Sequence, residues 1–373
     1  MRPRTALVLA LLTVSGCGGD NPAHLTAGAV DDVVRSQPPL VRELVDSGFR
    51  AVAVTSIWQP GLRAPRPEEL AELQAVAAET EAADVRLIVR VYHAGSSTTP
   101  LTDTARDEFA SYAAALVSNV EQVEDVIVGN EPNLNRFWLP QFGADGENLA
   151  APAYLELLAR TYDAVKGARD DVRVWGGATS PRGGDRPGGA RPTHSPTTFI
   201  QDLGAAYRSS GRDRAVMDGY AHHPYPESSR TPIDQPHPRT TTIGLADYEK
   251  LVRLLGEAFD GTPQEGSELP ILYGEIGIET AVPPEKQALY TGTEIAETTD
   301  PATQAAAYRR ALELSACQRN VAVVLIFHVR DEPALEGWQS GVRWVDGDPK
   351  ASLDPVREDL RAVEDGGLAA RCP

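Results

Sequence analysis

Two carboxylates follow apolar runs at widely separated points of the chain: Glu131 in "VIVGNEPNLNRFW" and Glu275 in "LPILYGEIG". A short β-branched run that ends in a carboxylate suggests a strand delivering an acid to a rim. Two such acids facing across a cleft are what glycosidic bond cleavage needs: one protonates the leaving oxygen, and the other attacks the anomeric carbon or activates water. Taken alone, Asn130-Glu131-Pro132 has a plainer reading as a turn with a helix cap, since Asn caps well and Pro suits a first turn. The partner at Glu275 favours chemistry.

The elements that would position these residues alternate along the chain. Short β-branched runs ("FRAVAVTSIW", "VRLIVRVYH", "VEDVIVGNE", "VRVWGGAT", "AVMDGYAHHPY", "LPILYGEIG", "VAVVLIFHV") are each followed by a stretch of helical period, at 67–82, 103–120, 152–168, 197–209, 246–259, 301–316 and 354–365. With "HLTAGAVDD" ahead of a helix at 38–47, the weakest of the strands, there are eight βα units. Alternation of this kind implies parallel strands joined by right-handed crossovers, and the α/β fold it predicts is a (β/α)8 TIM barrel. A doubly wound open sheet is the alternative, but no G-x-G-x-x-G follows the first strand. In a barrel the catalytic groups gather at the C-terminal strand ends, where Glu131 and Glu275 fall.

With those strand ends placed, the sequence resembles the clan A glycoside hydrolases, the retaining (β/α)8 enzymes that include family 5 cellulases and family 39 glycosidases. Asn130-Glu131-Pro132 matches the clan's fourth-strand motif, Glu275 its seventh-strand nucleophile, and "AHHPYP" offers His223 and Tyr225 at the sixth strand end. The resemblance implies Glu131 as acid/base, Glu275 as nucleophile, Asn130 as donor to a sugar 2-hydroxyl and Tyr225 as donor to the nucleophile. Arg90, alternating with the apolar residues of strand three, is the candidate for the clan's nucleophile-bonding arginine. Trp58 and Trp138 are candidate platforms for sugar faces, or else packing residues. The clan's strand-eight Trp is missing: Phe327-His328 stands there, with Trp338 as a substitute if it folds back. Glu279 is a rival to Glu275, and Asp31 and Asp32 either bind sugar hydroxyls or cap the first helix.

The remaining features bound partners and location. A net charge of -18 works against nucleic acid and anionic membranes as partners and favours a neutral carbohydrate substrate. Two long segments, 179–196 and 226–244, exceed ordinary βα connections and would wall a cleft. In the first, Arg182, Arg186 and Arg191 either meet an acidic sugar or solvate the loop. No His/Cys/Asp cluster has metal-ligand spacing, so no cofactor is expected, and a monomer is expected.

The N-terminus, "MRPRTALVLALLTVSGCGGD", has a basic start, an apolar run too short to span a bilayer and small residues before Cys17. Val14-Ser15-Gly16-Cys17 resembles a bacterial lipobox, so residues 1–16 are expected to be a signal peptide and Cys17 the lipidated N-terminus. Residues 22–373 then form one glycosidase-like domain of an exported lipoprotein, at the cell surface or in the periplasm, touching membrane only through its anchor. Cys317 and Cys372 remain, either as a disulfide holding the tail or as two unrelated thiols. The functional expectation is a retaining glycosidase cleaving β-glycosidic bonds; a glycan-binding lipoprotein on the same barrel, or a transglycosidase, is the alternative.

Overall fold

The computed structural model describes residues 25–372, so the signal segment and Cys17 lie outside the described residues. Eight parallel strands, β1 (Thr26–Val30), β2 (Ala51–Trp58), β3 (Arg86–His93), β4 (Val123–Val128), β5 (Arg173–Thr179), β6 (Gly219–His222), β7 (Ile271–Ile276) and β8 (Val321–Phe327), close in sequence order into a barrel. β1 closes it by pairing with both β2 and β8. The (β/α)8 expectation is met.

Helices on the outside return the chain between strands: α1 (Val33–Ser36) and α2 (Val41–Asp46) after β1, then α3 (Pro67–Ala82), α4 (Asp103–Asn119), α5 (Ala150–Ala168), α6 (Pro196–Ser209), α7 (Tyr248–Phe259), α8 (Pro301–Ala316) and α9 (Leu353–Glu364). From α3 onward these fall within two residues of the periodic stretches read from sequence. The first helix, expected over 38–47, is instead broken, because Pro38 and Pro39 lock a short 3-10 turn between α1 and α2. Caps fix several starts. Asp300 accepts the amides of Ala302 and Thr303 before Pro301, and Thr102 accepts that of Ala105.

Strand alternation separates two cores. Ala51, Ala53, Ile88, Ile127, Leu272, Val323 and Leu325 fill the barrel interior, while Val52, Val54, Leu87, Val89, Ile271 and Tyr273 face the helices. Inward positions one step further toward the C-terminal ends are therefore where side chains reach the mouth.

At the opposite end, the chain enters β1 beside Leu25, which shares a cavity wall with Glu121 and Glu364. A disulfide between Cys317, which caps the C-terminus of α8, and Cys372 holds the tail at that same end, 55 residues of sequence being spanned. Among the described residues no helix is long and apolar enough to cross a membrane.

Candidate active site

A cleft of about 1250 Å³ opens at the C-terminal ends of the strands, and Glu131, Glu275, Arg90, Asn130, Tyr225 and Trp338 line it. Local backbone explains how each acid arrives. β4 ends at Val128, three residues short of Glu131. Gly129 takes φ 82° and Glu131 φ 39°, a turn that swings the carboxylate inward and directs the Glu131 amide onto Ala178 O at 2.8 Å. A Cβ at Gly129 would lie 3.1 Å from the ring of Tyr154. That ring cannot yield readily, because its hydroxyl donates to Val128 O and accepts from Gly177 N, each at 2.8 Å.

Glu275 reaches the mouth through a bulge. Tyr273 pairs with Val324 and Ile276 with Ile326, so β7 spends one more residue than β8 between them. Tyr273 and Ile276 both face the helices, and the extra residue turns Glu275 away from them. Glu275 therefore sits within the strand as a barrel-mouth group, where simple alternation would have placed it beside Tyr273 on the outside. Gly274 leaves room for His223: a Cβ there would meet its ring at 2.9 Å.

The polar contacts converge on these two acids. Arg90, on the inward parity of Ile88, ion-pairs with Glu275 Oε1 and donates to Asn130 Oδ1 at 3.1 Å. The Tyr225 hydroxyl donates to Glu275 Oε2 at 2.9 Å. His223 Nδ1 lies 3.2 Å from Glu131 Oε1 and 3.7 Å from Glu275 Oε2. Those distances add to 6.9 Å, which caps the separation of the two oxygens. Burial pushes the Glu275 carboxyl up, yet attraction to His223 and Arg90 and the bond from Tyr225 outweigh it and hold the group below its ordinary value. Burial and the Glu275 charge push the Tyr225 phenol far the other way, so it stays a donor. Neighbouring His222 is buried between Thr179 Oγ1 and Ile243 O, and burial lowers it to about 4.

Of the sequence-predicted set, Glu131, Glu275, Asn130, Tyr225 and Arg90 line the cleft; His223, expected to bind substrate, is buried against the two acids and does not line it, and two tryptophans lie elsewhere. Trp58 and Trp138 are packing residues and offer no platform to a sugar, correcting that expectation. Trp58 shares the outward parity of Val52 and Val54, is 0% exposed, donates to Leu62 O and packs on Phe109. Trp138, 1% exposed, is wedged between His93 and Tyr154. The accessible aromatic surface comes instead from Trp338, folded over Tyr225 and Phe327 with ring centroids 5.1 and 5.3 Å away. Asp31 caps locally through Val33 N and also accepts Val329 N, while Asp32 accepts Thr55 N and borders the cleft.

Sequence reasoning missed what holds these loops. Asn133 bridges the turns after β4 and β5 by donating to Ser180 O and His194 O and accepting Ser180 N. Lys350, fully buried, ion-pairs with Asp331 at 2.7 Å and donates to Thr280 Oγ1 and Gln339 O, clamping the loop that carries Trp338. Tyr290 donates to the other Asp331 oxygen at 2.8 Å. Burial lowers Lys350 to about 8 and raises Asp331 despite their pairing. Glu279, the sequence rival of Glu275, is a buried loop carboxyl on the cleft wall, raised to about 7 by burial and by Glu294.

No protein-family model matches the chain, and no curated protein matches its sequence; the likeness lies with solved structures. A family 39 glycoside hydrolase from the gut symbiont Bacteroides cellulosilyticus WH2 superposes with a TM-score of 0.61 at 19% identity, over 94% of this chain and 64% of that one. A GH39 enzyme from Xanthomonas axonopodis pv. citri gives 0.55 at 15%, over 91% and 65%. GH5_18 from Streptomyces cattleya, in complex with GlcNAc, gives 0.59 at 14%, over 92% and 81%. The chain thus spans slightly under two thirds of the first two relatives. At these identities the likeness establishes the closed eight-stranded barrel that the three share with this protein.

Proposed function

We propose that this protein is a retaining glycoside hydrolase that cleaves β-glycosidic bonds of an oligo- or polysaccharide by double displacement. The observation that carries the reading is the unequal treatment of two acids in one cleft. Glu275 is held ionised by Arg90 and Tyr225, while Glu131, across His223 from it, has neither an arginine nor a lysine within ion-pair distance among the described residues. An ionised carboxylate beside a second, differently supported carboxyl is the pairing that nucleophile and acid/base roles require.

In this reading Glu275 attacks the anomeric carbon as Glu131 gives its proton to the departing glycosidic oxygen, leaving a glycosyl ester on Glu275. Glu131 then takes a proton from water, whose oxygen displaces Glu275 from the anomeric carbon. Asn130 uses its Oδ1 for Arg90, which turns its amide N–H groups toward a sugar 2-hydroxyl, where a bond strengthens as positive charge develops on the ring. Trp338 and Phe327 support the sugar face. The 6.9 Å ceiling on one oxygen pair accommodates the roughly 5–5.5 Å carboxyl spacing of retaining enzymes. Export and anchoring through Cys17 belong to the same proposal and rest on the N-terminal pattern; mass spectrometry of the native protein should find an acylated Cys17.

The test is trapping with a panel of 2-deoxy-2-fluoro glycosides followed by peptide mass spectrometry. Covalent label on the peptide that carries Glu275 supports the assignment. Glycans that bind without label or cleavage would move the protein to the glycan-binding alternative, and transfer to an added sugar in preference to water would make it a transglycosidase.

A further inference from the structure

Most of the charged side chains lining the cleft are sorted by wall. Arg136 in the turn after β4, and Arg182 and Arg191 in the long segment after β5, line one side. Glu279 after β7, Glu297 in the same connection, and Glu332 after β8 line the other. Among the described residues none of these three arginines makes an ion pair, although Glu227, after β6, also lines the cleft and its charge acts on Arg182. Arg182 is half-buried and donates to the carbonyls of Tyr225 and Pro226 at 2.9 and 3.0 Å. Arg136 is exposed, its guanidinium 5.3 Å from the Phe137 ring centroid, and neither it nor Arg191 makes an ion pair among the described residues. By contrast Arg330, also on the cleft, is closed off by a two-point bond to Glu43.

Two guanidinium groups without an ion pair, beside a third held by backbone carbonyls, stand out in a chain of net charge -18, where acidic partners are plentiful. The wall also has a mechanistic side. Arg136 follows Glu131 on one turn, whose Leu134 amide donates to Glu131 O, and both line the cleft. Resting on the glycosidase reading, this flank belongs to the leaving group, because the acid must reach the oxygen that departs. We propose that the leaving-group portion of the substrate carries an anionic group, a uronate carboxylate or a sulfate ester, gripped by Arg136 and Arg191 beside the fixed Arg182. The acidic wall opposite excludes anions and accepts the hydroxyls of a neutral glycone. The overall negative charge does not forbid this: screening confines each surface charge to about 8 Å at physiological salt, so the nearby arginines govern this wall. Arginine suits the task, since its planar fork matches carboxylate and sulfate oxygens two at a time.

The test is retention on an array of neutral, uronate-containing and sulfated oligosaccharides, using the full protein and its Arg136→Gln/Arg191→Gln double variant, with thermal melts to show both are folded. The wild type is expected to retain uronate or sulfated glycans over neutral ones, and whichever class is held names the anion. The double variant should lose roughly tenfold or more of that preference, the worth of a charge-assisted contact. Retention of neutral glycans only, of acidic glycans equally by both proteins, or of nothing at all overturns the inference. Mass spectrometry of the retained glycans separates the two readings: acidic glycans held through the arginines but left intact retire the hydrolase and keep the anion site, whereas cleaved neutral glycans do the reverse.

Discussion

Two clusters in this molecule share the same three parts. At the mouth, Arg90 and Tyr225 hold Glu275; in the loop after β8, Lys350 and Tyr290 hold Asp331. Their electrostatics run in opposite directions. Glu275 is held below its ordinary value, whereas Asp331 is raised and Lys350 lowered. The difference lies in what else surrounds the carboxylate. Glu275 adds His223 to its support and borders the cleft, so its charge is both stabilised and within reach of a substrate. The Lys350–Asp331 pair is buried and its bonding positions are filled by Gly341 N, Thr280 and the Gln339 carbonyl, so although Asp331 lies in the cleft wall its carboxylate is taken up by Lys350 and Tyr290. An ion pair with a tyrosine is therefore not in itself a signature of chemistry. Support that exceeds burial, at a group facing a cleft, is the more informative sign.

Breaking the two clusters should give different kinds of loss. Glu275→Gln is expected to lower turnover roughly a thousandfold or more while leaving the melting temperature near that of the wild type. Full turnover in that variant would end the nucleophile assignment. Lys350→Ala should instead destabilise the fold by about 3 kcal/mol in a denaturant titration, because it strands a buried carboxylate; Lys350→Met with Asp331→Leu should recover most of it. A double variant no more stable than the single one would show that the pair contributes more than charge neutralisation.

The tyrosines sharpen the contrast. Tyr225→Phe should cost about 1.5–3 kcal/mol of transition-state stabilisation, seen in kcat/KM, whereas Tyr290→Phe should shift the unfolding midpoint. The smallest effect is a pH dependence at Glu279. With its folded value raised to about 7, Glu279 binds a proton in the native state that the unfolded chain has released above about 4.5. Stability should thus fall as pH rises from about 4.5 to 7, by roughly 2 kcal/mol, and stay lowered above that window. Glu279→Gln should flatten this slope, measured as melting temperature against pH.

The barrel was legible because strand-like and helix-like stretches alternate along the whole chain: seven of the eight helical stretches fold as continuous helices, and only the run around Pro38 and Pro39 misled. The two acids were legible because each closely follows an apolar run. Arg90 and Tyr225 were found as companions of strand ends. Trp58 was misplaced because residue type was read without parity; Ala51 and Ala53 against Val52 and Val54 already marked which face was inward. The bulge that turns Glu275 inward left no local signal beyond Gly274, and Lys350 left none at all. Its partners Asp331 and Gln339 lie in the same connection between β8 and α9, which must fold back on itself, and Thr280 comes from the connection after β7.

The placement of the two described ends has a consequence for how the molecule meets its surroundings. Leu25 and the disulfide-held Cys372 both lie at the floor of the barrel, and the cleft opens at the ceiling. A tether through either end would hold the protein by its base like a cup, mouth outward. Large molecules unable to diffuse beneath the protein would still have access from above, and whatever the floor rests on would not compete for the opening.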